Sequence, residues 1–154
     1  MELLLAIAVL ALVGGFALRL GLSSLEERSL EAEALRLSQF LREAILRANL
    51  ERKILTLKFY DSVGDRGAAL MLFGPESALK PISSFAPREG FALARVRSTG
   101  EGASGQDQNV VRVLPDFRCV PALTLRLERD GRRLYVVVVS ATGRVWVSDR
   151  LSAR

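Results

Sequence analysis

Histidine is absent from this sequence, and cysteine occurs once, at Cys119. The first absence removes the commonest general base and the commonest metal ligand together. The second excludes an intrachain disulfide, which fits the cytosol and equally fits an exported domain that needs no staple. The remaining carboxylates are scattered. No nucleophile–base pair and no metal-ligand spacing can be drawn from them, so neither an enzyme nor a metal or cofactor site is expected. Proline is missing from residues 1–74, so nothing in that half blocks a long helix. Gly100-Glu101-Gly102-Ala103-Ser104-Gly105 does spell G-x-G-x-x-G. The phosphate-binding form of that string needs a helix to open at the loop, whereas here a polar stretch and then a strand follow, so dinucleotide binding is set aside.

What is present is concentrated at the start. From Leu3 to Leu18 there is no charged residue, and the next charge is Arg19. As a helix this run measures about 24 Å, a little short of the roughly 30 Å hydrocarbon core of a bilayer. One carboxylate, Glu2, stands at its beginning. A charge at that depth is costly unless it reaches a headgroup or a partner, which makes Glu2 a functional candidate. A cleaved secretory signal would open on basic residues and close on small ones. This run opens on an acid, with no such cleavage site after Leu18, so a membrane anchor is preferred. Taken alone, Arg19 and Arg28 would put the following side in the cytoplasm.

The helical pattern continues. Leu30, Ala34, Leu37, Leu41, Ala44 and Ala48 recur at spacings of four and three, with Ile45 beside them. That spacing predicts an amphipathic helix over about 21–52 whose apolar stripe packs on a domain. Gly14 and Gly15 lie inside the apolar run and mark a weak point or a close helix contact. After residue 53 the period changes to two. Strands are expected at 54–60, 68–73, 91–97 (Phe91, Leu93 and Val96 inward) and 110–114. Further strands are expected at 123–128, 134–140 and 144–148, the first of these with Leu123, Leu125 and Leu127 inward. Asp130-Gly131 predicts a tight hairpin, residues 75–90 read as irregular, and 99–109 read as a flexible polar loop. Cys119 reads as a small core hydrophobe. Trp146 falls on the opposite face from Val145 and Val147. It is either an exposed aromatic contact or packed under the helix or a second layer, and the packed reading is preferred.

The net charge of +5 is uneven. Residues 1–111 balance, and 112–154 hold nine arginines against four acids. Such a segment could meet phosphates, with Arg126, Arg132, Arg133 and Arg144 as candidate nucleic-acid contacts. The ordinary reading, solvated strand faces, is preferred.

Glu2-Leu3-Leu4-Leu5-Ala6-Ile7-Ala8-Val9-Leu10 resembles the mature N-terminal segment of type IV pilins and type II secretion pseudopilins. The stretch Leu37 to Asn49, the β-rich remainder and Gly143-Arg144-Val145-Trp146-Val147 resemble the GspH/FimT branch of minor pseudopilins. The resemblance implies an α+β pseudopilin fold, with a long N-terminal helix packed on an antiparallel β-rich domain. Its parts would be a transmembrane segment at 1–20, its amphipathic continuation at 21–52 and a globular domain at 53–154. Relative to the family, the sequence as written lacks the basic leader, its final glycine, the first mature residues and hence a prepilin peptidase site. Three or four restored apolar residues would bring the helix to about 30 Å, and a basic leader would reverse the orientation, placing the β domain outside the cytoplasm.

By the same resemblance Glu2 is the acidic assembly residue, and Leu3, Leu4, Ala6, Ile7, Leu10, Gly14 and Gly15 pack against sister helices. The implied protein is a non-enzymatic minor pseudopilin of a bacterial type II secretion system. It would sit in the inner membrane with its domain in the periplasm. Its partners would be other pseudopilins or pilins, the assembly platform and membrane lipid. The alternative is a minor pilin of a type IV pilus or competence system, with nucleic acid as a lesser possible partner.

Overall fold

The computed structural model describes residues 28–61, 67–76, 80–96 and 109–150. The expected transmembrane segment and most of the 99–109 loop lie outside the described residues. Helix α1 runs over 28–51, about 36 Å of rod. Its apolar stripe behaves as the spacing requires: Leu30, Ala34, Leu37, Leu41, Ala44, Ile45 and Ala48 are all buried. The helix ends at Arg52, which takes a left-handed φ of 51°. Arg52 N–H donates to the Asn49 carbonyl and Lys53 N–H to the Ala48 carbonyl, each at 3.2 Å. That is a Schellman cap with a non-glycine residue in the position glycine usually fills.

Two antiparallel sheets receive the stripe. The first has the order β3-β2-β1-β5-β6, from β1 (Leu55–Tyr60), β2 (Ala69–Phe73), β3 (Ser83–Phe85), β5 (Val110–Val113) and β6 (Cys119–Val120). The second has the order β4-β7-β8-β9, from β4 (Ala92–Val96), β7 (Leu123–Arg129), β8 (Arg132–Val138) and β9 (Val145–Ser148). Inward residues of both sheets join the helix stripe in one apolar cluster, among them Leu55, Leu57, Val113, Leu125 and Val136. The sheets are tied at one corner, where Cys119 N–H donates to the Ser140 carbonyl at 2.9 Å.

The β7–β8 hairpin closes at Asp130-Gly131, with φ of 50° and 79°. Positive φ at both central positions is what a type I′ turn demands and what the Asp-Gly pair predicts. Three expectations need correction. Residues 75–90 are not all irregular, since β3 lies there. It is three residues long, paired through Leu70↔Phe85 and Leu72↔Ser83, and set between Pro81 and Pro87, so it leaves no periodic trace. The two-residue β6 escaped notice for the same reason. Val96 is not inward: it pairs with Thr124, which alternates outward from Leu123 and Leu125, and Arg95 takes the inward position beside Leu125.

Candidate assembly surface

Helix α1 is held to the sheets along its length by polar contacts as well as by its stripe. Near its start Ser29 Oγ accepts from Arg129 Nη1 at 3.0 Å, while the Arg129 guanidinium lies over the Phe91 ring at 4.8 Å. One turn on, Glu33 is 2% exposed. Its carboxylate accepts the Arg88 backbone N–H at 3.1 Å and lies 3.3 Å from the Arg36 guanidinium and 3.6 Å from that of Arg88. Arg36 in turn donates to the Ala86 carbonyl and stacks on the Phe85 ring at 4.7 Å. The chain from β3 to β4, which crosses from one sheet to the other, is thereby pinned to the helix. Further along, Arg42 Nη2 donates to the Val145 carbonyl at 3.1 Å and Asn49 Nδ2 to the Pro115 carbonyl at 2.6 Å. Five attachments to both sheets make helix and domain one mechanical body.

The opposite side of α1 is turned outward and is not purely polar. Leu35, Leu46 and Leu50 are 56%, 54% and 75% exposed, and Ile54 just beyond the cap is also exposed. Arg47 and Glu51 pair across one turn at 2.6 Å. Large apolar side chains on the free side of a helix give it a face suited to another helix.

The residues singled out in the sequence fall in three places. Glu2, Leu3, Leu4, Ala6, Ile7, Leu10, Gly14 and Gly15 lie outside the described residues. Among the described residues no helix is long and apolar enough to cross a membrane. The four arginines are not gathered into one patch. Arg126 and Arg133 face outward on adjacent strands and share Glu128, at 3.4 and 3.1 Å. Arg132 pairs with Arg129 beside the hairpin tip, whereas Arg144 precedes β9 at the far end of the same sheet. Cys119 is buried, as a core hydrophobe should be, and burial pushes its thiol up to about 11. The packed reading of Trp146 is corrected. It points away from Val145 as expected, but is 41% exposed on the outer face of the second sheet, opposite Val137, because α1 packs on the inner face.

Glu33 is the residue that sequence reasoning passed over. Its one signal is position: three residues after Leu30 and next to Ala34, it sits on the edge of the buried stripe, where an acid must find partners.

No protein-family model matches the sequence, and no curated protein matches it. Solved structures do. The type IV minor pilin FimU of Pseudomonas aeruginosa is 15% identical, covering 80% of this chain and 90% of its own, with a TM-score of 0.57. A second crystal form of that protein gives 0.54. The minor pseudopilin EpsH from the Type 2 Secretion System of Vibrio cholerae is 17% identical, covering 78% of this chain and 96% of its own, with a TM-score of 0.56. One helix packed on antiparallel sheets thus gives this chain the α+β fold of the type IV pilin-like minor pilins and minor pseudopilins.

Proposed function

We propose that this chain is a non-enzymatic subunit of a bacterial envelope filament, a minor pseudopilin of a type II secretion system. In this reading the apolar run at 3–18 anchors it in the inner membrane with the β domain in the periplasm. The same helix then packs beside those of sister subunits through Leu3, Leu4, Ala6, Ile7, Leu10, Gly14 and Gly15. Glu2 neutralises a neighbour's terminal amine in a low-dielectric setting, where an ion pair is strong and a lone charge costly. The observation that carries the reading is the two-sided character of α1. One stripe is locked into both sheets, the other side keeps large leucines exposed, and in sequence the helix is preceded by an uncharged apolar run at 3–18. A filament subunit pushed from the membrane needs that rigid link between rod and domain.

The test is Glu2→Val in the native host. Loss of the variant from assembled filaments, with its β domain still protease-resistant, is the expected result. Normal incorporation and normal secretion by Glu2→Val would overturn the proposal.

A second reading, a minor pilin of a type IV pilus, draws on the likeness to FimU, which is as strong as that to EpsH. Deleting the gene separates the two: a secretion defect with normal pili favours the first, and loss of pili with normal secretion favours the second. Nucleic-acid contact belongs to this second reading and would appear as a salt-sensitive gel shift weakened by reversing Arg126 and Arg133.

A further inference from the structure

We infer that the free edge of β9 is a docking site for an extended, acidic strand of a partner protein, which would lengthen the second sheet by one strand. β9 is the last strand of its sheet. The bond from Val139 N–H to the Arg144 carbonyl, 3.0 Å, sets the alternation of the antiparallel pair. Trp146, opposite Val137, exchanges its backbone bonds with β8, so Val145 and Val147 turn their N–H and C=O groups to the open side. The Val145 carbonyl is taken by Arg42. Among the described residues nothing takes the Val147 groups.

An open edge is usually blunted by charge, proline, a bulge or shortness. The other edges follow that rule or are covered. β3 has three residues, β6 has two with the Cys119 N–H already bonded across to Ser140, and β4, the other edge of the second sheet, sets the charged Arg95 opposite the inward Leu125. β9 reads Val-Trp-Val-Ser, carries no charge or proline within the strand, is covered only at the Val145 carbonyl, and leaves Trp146 and Val147 exposed on its two sides, 41% and 36%.

Charge selects the occupant. Arg42 beside the edge, Arg144 before the strand and Arg150 after it have no carboxylate partner among the described residues. Arg36, Arg47, Arg88, Arg118, Arg126, Arg129 and Arg133 each have one. The acids nearest them in sequence are Glu43, beside Arg42, and Asp149, beside Arg150, which leaves one positive charge in excess. An incoming strand would give its carbonyl to Val147 N–H, take a bond at the Val147 carbonyl, and set acidic side chains against these guanidiniums. The inference does not depend on whether the filament serves secretion or a pilus.

The experiment uses the full chain, isotope-labelled in detergent micelles, and a synthetic peptide Glu-Glu-Val-Thr-Val-Thr-Val-Glu-Glu. Saturable amide shifts centred on Val145 to Ser148 are expected. Val147→Pro removes the outward N–H and spares the bonds to β8, since proline is tolerated on that side of an edge strand. It should weaken binding by at least about tenfold. The double variant Arg144→Glu with Arg150→Glu keeps the backbone and should weaken it similarly, as should replacing the peptide's glutamates with lysines. The proposal is overturned by the absence of saturable shifts or by equal affinity for the lysine-flanked peptide. A Val147 amide already protected from exchange in the chain alone would mean that its own segment fills the edge, and a dimer dispersed by Val147→Pro would mean that a second copy does. Either also overturns it.

Discussion

Glu33 accepts the backbone N–H of Arg88 at 3.1 Å, from a position on α1 that is itself closed to solvent. The crossover between the two sheets therefore hangs on a helix side chain. Removing it would strand the Arg88 amide and leave a void. Glu33→Ala should destabilise the domain by about 2–4 kcal/mol, less than for a fully buried pair because Arg36 and Arg88 both reach water. Glu33→Gln keeps an acceptor for the amide and should cost about 1 kcal/mol. Denaturant unfolding of the two variants, followed by far-UV circular dichroism, checks the order. Equal losses would mean that charge alone matters.

Two left-handed positions should respond with opposite signs. At Gly143, with φ of 61°, an added Cβ would run into the Phe117 carbonyl oxygen and stand 3.3 Å from Ile45, so backbone would have to move. Gly143→Ala should cost at least about 2–3 kcal/mol. Arg52 holds its left-handed φ without glycine's freedom, and Arg52→Gly should stabilise by about 0.5–1 kcal/mol. Thermal midpoints that move in opposite directions would confirm both.

The helix stripe, the Asp130-Gly131 hairpin and the inward leucines of β7 were legible because each is a local rule repeated over several residues. Periods of 3.6 and 2 survive in sequence when one face is buried and the other wet. What escaped was set by contacts distant in sequence. β3 and β6 are too short to show a period and exist because β2 and β5 offer them edges. Val96 and Trp146 were misplaced because the depth of a residue at the margin of a sheet depends on which side the helix covers. Glu33 was invisible as a buried residue because Arg88, whose backbone N–H it accepts, lies 55 residues on.

Cys119 should be nearly inert. Its thiol is buried, and burial raises its pKa from 9.0 to about 11. The folded state thus binds this proton more tightly than the unfolded one. The associated stability is fully present below pH 9 and falls away as the pH rises towards 11. At pH 8 the displacement alone cuts the reactive thiolate about a hundredfold. Alkylation by iodoacetamide should be slower by at least that factor in the folded chain than in urea. Comparable rates would show that the β6 corner opens readily.

The two faces of α1 make the last and sharpest contrast. Leu37 is fully buried between the sheets, and Leu37→Ala should cost about 2–5 kcal/mol through lost contacts and a residual cavity. Leu46 is more than half exposed, so Leu46→Arg should change stability by no more than about 0.5 kcal/mol. If α1 packs against sister helices as proposed, Leu46→Arg should nonetheless lower incorporation into the filament, because the guanidinium would have to be desolvated in an apolar contact. Cross-linking or co-purification with sister subunits reads that effect separately from unfolding. A variant at Leu46 that folds and assembles like the parent would show that the exposed leucines are incidental and that assembly is confined to the residues ahead of 28.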